Sequence, residues 1–206
     1  MRMRARCALA ALLVCGSLAG AVGSAHANRL EVSSLQFRMT WGRVFRLSDT
    51  GGTVECVVTL TGSFHSRSFP KVTSVLIGLI TGATIQECSG GSAGFLAETL
   101  PWHVQYEGFS GTLPNIELFR IQITEAGISL RTGFVFTCLA RASATNPLKM
   151  TVGLGTENRL TAVRLVEAAI PYRESTSCTG LNLVPVRQGT GEFFELFGNR
   201  MRLFLI

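Results

Sequence analysis

Residues 53–61 read Thr-Val-Glu-Cys-Val-Val-Thr-Leu-Thr, with Val54, Cys56, Val58 and Leu60 on one parity and Thr53, Glu55, Thr59 and Thr61 on the other. Successive side chains of a strand point to opposite faces, so this period of two predicts a strand with one buried side. Gly51-Gly52 before it and Gly62-Ser63 after it supply turn chemistry. The pattern recurs. Trp102, Val104 and Tyr106 oppose His103, Gln105 and Glu107, and Phe119, Ile121 and Ile123 oppose Arg120, Gln122 and Thr124. Met150, Val152 and Leu154 alternate in the same way, and residues 133–140 are apolar on both parities, as a central strand would be.

The intervening segments are punctuation. Ser48-Asp49-Thr50-Gly51-Gly52, Cys88-Ser89-Gly90-Gly91-Ser92 and Gly189-Thr190-Gly191 read as turns, and a parity break near Ser33-Ser34 predicts an irregularity in the first strand. Residues 72–85 read as a strand buried on both faces or as two strands divided near Gly82. Only residues 159–169 fit a helical turn as well as a strand. The chain closes on an apolar pattern, Met201 to Ile206, which predicts a terminal strand held in a sheet. Together these features predict an all-β fold, a two-layer antiparallel β-sandwich of roughly ten short strands.

The first 27 residues stand apart. Arg2, Arg4 and Arg6 precede the apolar run Ala8 to Val14, and Ala25-His26-Ala27 has the small-x-small form of a cleavage site. The run is too short to span a bilayer, which needs about 20 residues, so residues 1–27 are expected to be a secretory signal peptide and 28–206 a single domain. The expected location is secreted, periplasmic or at the cell surface. Lipoprotein processing at Cys15 is the lesser alternative, because Val14 is bulky for the position before the lipidated cysteine. With the three signal arginines removed, the net charge of +6 falls to +3, and no block of like charge remains. Nucleic acid is therefore not an expected partner, nor is a transmembrane helix expected in the mature chain.

Cys56, Cys88, Cys138 and Cys178 remain after the signal. An even number in an exported chain predicts two disulfides, and three pairings are open. Either each half is bridged within itself or two sheets are pinned across the core. Their spacings of 32, 50 and 40 residues lack the tight knuckle of a zinc site, so no metal is expected.

Chemistry is sparse. Beyond the signal the chain has two histidines, His65 and His103, and one aspartate, Asp49. A serine triad would have to use one of those histidines, and no Gly-x-Ser-x-Gly elbow occurs. Glu98 and Glu107, flanking Trp102, are a thin basis for glycosidase chemistry, and Trp102 shares the inward parity of Val104. No catalytic residue, cofactor or nucleotide fingerprint is assigned. Aromatics beside turns offer a possible binding patch, Trp41, Phe64, His65, Arg67 and Phe109. The expected role is a structural or binding domain without catalysis, its partner a protein or an envelope glycan. The alternatives are a secreted hydrolase using His65 or His103, and a small outer-membrane β-barrel.

Overall fold

In the computed structural model the alternating segments form a long antiparallel wall. The structure describes residues 29–47, 53–111, 116–132, 136–154, 160–164, 168–170, 172–173, 181–185, 192–195 and 201–206. Within them run β1 (Arg29–Val32), β2 (Gln36–Leu47), β3 (Thr53–Phe64), β4 (Ser68–Pro70), β5 (Leu76–Ser89), β6 (Gly91–Phe95), β7 (Trp102–Ser110), β8 (Leu118–Thr124) and β9 (Gly127–Thr132). The series continues with β10 (Phe136–Arg141), β11 (Leu148–Leu154), β12 (Leu160–Arg164), β13 (Ala168–Ile170), β14 (Tyr172–Arg173), β15 (Leu181–Pro185), β16 (Glu192–Glu195) and β17 (Leu203–Leu205).

The largest sheet has the order β12-β11-β8-β7-β5-β3-β2-β15-β13, with β16 also paired to β2. From β2 to β12 its wall is an antiparallel meander, and β12 comes alongside β16, so the sheet curls into a half-barrel. Two smaller sheets, β17-β1-β4 and β14-β10-β9-β6, complete the domain. The expected two-layer sandwich is thus replaced by one curled sheet with two small ones packed on it, and the strands are more numerous than expected.

The reason lies in the bulges. The β3–β5 register shifts between Glu55 and Val57 and between Thr61 and Gly62, the β5–β7 register between Leu76 and Gly78, and the β7–β8 register between Tyr106 and Gly108. Each bulge adds local twist and bend, and on strands of 12 to 14 residues this accumulates into curvature rather than two flat layers. Glycine permits the closest approach: a Cβ on Gly62 would collide with the Leu79 carbonyl, and one on Gly78 with the Ser63 carbonyl.

The inward parities are buried as the alternation requires. Phe37, Met39, Val58, Leu60, Ile80, Trp102, Val104, Phe119, Ile121, Ile123, Met150 and Val152 line the concave side. β17-β1-β4 closes one end, burying Leu30, Val32, Phe69 and Leu203. Phe69 is its keystone, with its ring centroid 5.9 Å from Phe64, 6.4 Å from Tyr106 and 6.1 Å from Phe119. Aromatic contacts at these separations add to the area they bury. At the other end Trp102 meets Phe95 edge-on at 5.1 Å, and its indole N–H donates to Thr99 Oγ1 at 2.8 Å. The β8–β9 and β10–β11 corners are tied together there, Glu125 N–H donating to the Ala142 carbonyl and Ala142 N–H to the Ala126 carbonyl.

Cys56 is bonded to Cys88, closing a separation of 32 residues. The bond joins neighbouring strands of one sheet at the β3–β5 bulge, where Glu87 takes φ 52°, rather than pinning two sheets together. Cys138 is disulfide-bonded as well, and Cys178 lies outside the described residues. Of the ambiguous stretch at residues 159–169, the described part is strand, Leu160–Arg164 pairing with β11 and Ala168 opening β13. The signal segment, residues 1–27, lies outside the described residues.

Candidate functional site

Of the aromatic patch read from the sequence, the packing takes Phe64 into the core. Phe64 ends β3 with its ring 5.0 Å from Phe37 and is 4% exposed, so it belongs to the core. Its inward direction was legible in its parity with Leu60, and the loop-like Gly62-Ser63 before it concealed that. Phe109 lies within β7 opposite Phe119, not in a turn, because the bulge at Glu107-Gly108 shifts the alternation by one residue and turns the ring inward. Lys71 Nζ lies 5.5 Å from the Phe109 ring centroid, a cation–π contact over its remaining exposed side. Trp41 stands opposite Val58 in the β2–β3 register, and its side chain lies outside the described residues. His65 and Arg67 are exposed, in the short connection from β3 to β4.

The hydrolase candidates are separated. His65 lies where β3 ends and β5 begins, its N–H donating to the Ile77 carbonyl. His103 lies where β7 begins, in register with Leu79 and through it with Ser63, two strands across the wall from β3, with Nδ1 3.5 Å from Glu125 Oε1. Both members of that pair are open to water, their side chains 38% and 56% exposed, so the contact is a surface ion pair when the imidazole is charged. The Glu98 and Glu107 carboxylates are engaged with different cations. Glu98, in the 3-10 turn Ala97–Thr99, meets Arg141 Nη2 at 3.4 Å, whereas Glu107 meets Lys149 Nζ at 3.0 Å on the outer wall. Trp102, at 1% exposure, is core rather than a sugar platform.

Among the described residues no group of three or more His, Cys, Asp or Glu side chains could hold a metal ion. Among the described residues burial pushes the Tyr106 phenol above its ordinary 10.0, and the nearby Arg120 guanidinium partly opposes this. Tyr106 points inward beside Phe69 and Phe119, so the shift is a consequence of packing.

What the wall presents outward is polar. Thr59, Thr61, Gln105, Gln122, Arg120, Lys149 and Thr151 alternate with the buried set. Thr40 and Thr59 share a hydrogen bond across β2 and β3 at 3.0 Å, and Thr84 stands opposite Thr59 on β5. The residues that sequence reasoning passed over are Leu35, Val72, Leu76 and Ile206, the large apolar side chains most exposed among the described residues. Leu35, Val72 and Ile206 border the sheet β17-β1-β4 directly and Leu76 opens β5 beside the β3–β4 connection, and no periodic signal marks them because they sit at strand ends and in connecting loops.

No family model, curated protein or solved structure matches this chain. The class is therefore defined by fold and surface alone: a small β-rich, disulfide-linked domain without a metal or catalytic cluster among its described residues.

Proposed function

We propose that the chain is an exported β-domain with a structural or binding role and no catalysis, acting outside the cytoplasm or in the cell envelope against a protein or an envelope glycan. The observation that carries this is the division of the wall: inward residues fill the core with apolar side chains, while His103 and the carboxylates Glu98, Glu107 and Glu125 are dispersed in separate surface ion pairs. A hydrolase needs nucleophile, base and orienting group within hydrogen-bond reach of one another. His65 is exposed in the β3–β4 connection, and His103 pairs with Glu125 on a strand separated from β3 by β5. The oxidised Cys56–Cys88 pair supports an oxidising compartment, where disulfides persist. The outer-membrane barrel is disfavoured by the same wall, since Arg120, Gln122 and Lys149 would face hydrocarbon, where charge is costly.

Expression of the full chain, cell fractionation and N-terminal sequencing test export. Mature protein beginning at Asn28 in an extracytoplasmic fraction is expected, and uncleaved protein retained in the cytoplasm would overturn it. The non-catalytic part is tested by ester and glycoside hydrolysis with the wild type and the His65→Ala and His103→Ala variants. Turnover abolished by either substitution would replace this function with the hydrolase alternative.

A further inference from the structure

The wall strands run between the same two ends, and charge divides along that axis. At the end closed by β17-β1-β4 lie Arg29, Arg67, Lys71 and Arg202, with Glu31, Glu107 and Glu117 as the acidic residues described there, Glu107 being held by Lys149. Farther from the cap lie Glu55 and Glu87, where β3 begins and β5 finishes, and Glu98 and Glu125, near the start of β7 and the finish of β8, accompanied by His103, Arg131 and Arg141. The exposed apolar side chains follow the basic end. Leu35 accepts from Phe64 N–H, and His65 N–H donates to the Ile77 carbonyl beside Leu76. Val72 begins the turn that Val75 N–H closes, and Ile206 exchanges two backbone hydrogen bonds with Arg29, which pairs with Pro70.

We propose that this capped end is a docking face for an anionic phospholipid surface. Four apolar side chains rim it, 40% to 55% exposed, set apart by basic residues rather than gathered into one groove. A folded protein partner needs a surface matched to those separated tips, whereas the headgroup region of a bilayer accepts apolar tips at any spacing while its negative potential attracts the cations between them. The acidic residues away from the cap orient the molecule, because the same field that draws the cap inward repels Glu55, Glu87, Glu98 and Glu125. The outer wall stays in water, so the contact is peripheral. This inference deepens the binding role proposed above by naming the chemistry of its partner, and it can fail without that role failing.

The test is flotation of the purified mature chain with vesicles of phosphatidylcholine mixed with phosphatidylglycerol, against phosphatidylcholine alone, at low and high salt. Binding is expected to the mixed vesicles only and to weaken with salt. Arg67→Glu changes two charge units on an exposed side chain and should weaken binding by roughly 25-fold, at about fivefold per unit. Val72→Asp, also at an exposed position, should abolish detectable flotation, while Lys149→Ala on the outer wall should float as the wild type does. Thermal unfolding of each variant identifies any that fails to fold, and the two cap variants are independent of each other. Absence of flotation, equal flotation with both vesicle types, or unchanged flotation of folded Arg67→Glu and Val72→Asp would overturn the inference. Salt-sensitive binding to soluble polyglutamate with bare vesicles would likewise overturn it in favour of an acidic protein. An exported protein that ignores vesicles leaves the wider binding role standing, and cytoplasmic retention counts against the export reading whatever the vesicles do.

Discussion

Removing the Cys56–Cys88 bond, by Cys56→Ala with Cys88→Ala, gives the most quantitative test of the packing. The bond closes a separation of 32 residues, and the chain-entropy relation then gives a loss of about 3.7 kcal/mol at 25 °C. The calculation treats the effect as one on the unfolded chain, which regains the freedom of that loop, while β3 and β5 remain hydrogen-bonded neighbours in the native state. For a chain of this size about 1 kcal/mol moves the midpoint by roughly 2–4 °C, so the expected fall is roughly 7–15 °C. Urea unfolding followed by circular dichroism and tryptophan fluorescence measures it, with the Cys138 bond left intact. The slope against urea should rise slightly, because a less constrained unfolded chain exposes more surface. A loss below about 1 kcal/mol would refute the reasoning, since a loop of that length cannot be opened so cheaply unless something else already constrains it.

Phe69→Ala should cost about 3–5 kcal/mol and preferentially release the β17-β1-β4 cap, seen as faster amide exchange at Leu30 and Leu203 than at Ile121. Gly62→Ala drives a methyl into the Leu79 carbonyl and the Phe37 ring and is expected to cost at least about 1–3 kcal/mol, read by thermal unfolding. Thr99→Val leaves the buried Trp102 indole N–H without its acceptor, for a loss of about 1–3 kcal/mol with a change in tryptophan emission. The Tyr106 phenol is neutral when protonated and its pKa is raised in the folded state, so the native protein keeps that proton to higher pH than the unfolded chain does. Stability is accordingly unaffected below pH 10 and falls as pH rises beyond it; Tyr106→Phe should remove that part of the alkaline loss, and an unchanged profile would contradict the assignment.

The strands were legible where alternation is unbroken. Val54 to Leu60, Trp102 to Tyr106 and Phe119 to Ile123 bury the parity the sequence assigns them, and the irregularity at Ser33-Ser34 is the break between β1 and β2. The terminal segment is held as expected, Leu203–Leu205 pairing with β1. What failed were inferences that cross a bulge. The stretch 72–85, read as buried on both faces or as two strands, is continuous strand from Leu76, and its fully buried large residues, Ile77 and Ile80, break the alternation where the register shifts at Gly78. Phe109 reads as a turn residue for the same reason. The sandwich itself was an inference from strand count, and count does not distinguish two layers from one sheet that twists far enough to curl over its own core. Phe64 read as a residue beside a turn because Gly, Ser, His and Arg surround it, yet its ring stacks on Phe69 across the cap. The docking rim was invisible for a different reason. Leu35, Val72, Leu76 and Ile206 are brought to one end only by the pairing of β1 with β4 and β17 and of β3 with β5.

The partition of the wall into an apolar inside and a polar outside is tested most directly by phase separation of the mature protein between water and detergent at high salt, where peripheral lipid contacts are screened. The structure requires a strand-rich circular dichroism spectrum and recovery in the aqueous phase. A chain that holds this spectrum only in the detergent phase would mean that the outward threonines, glutamines and arginines have been assigned to the wrong face.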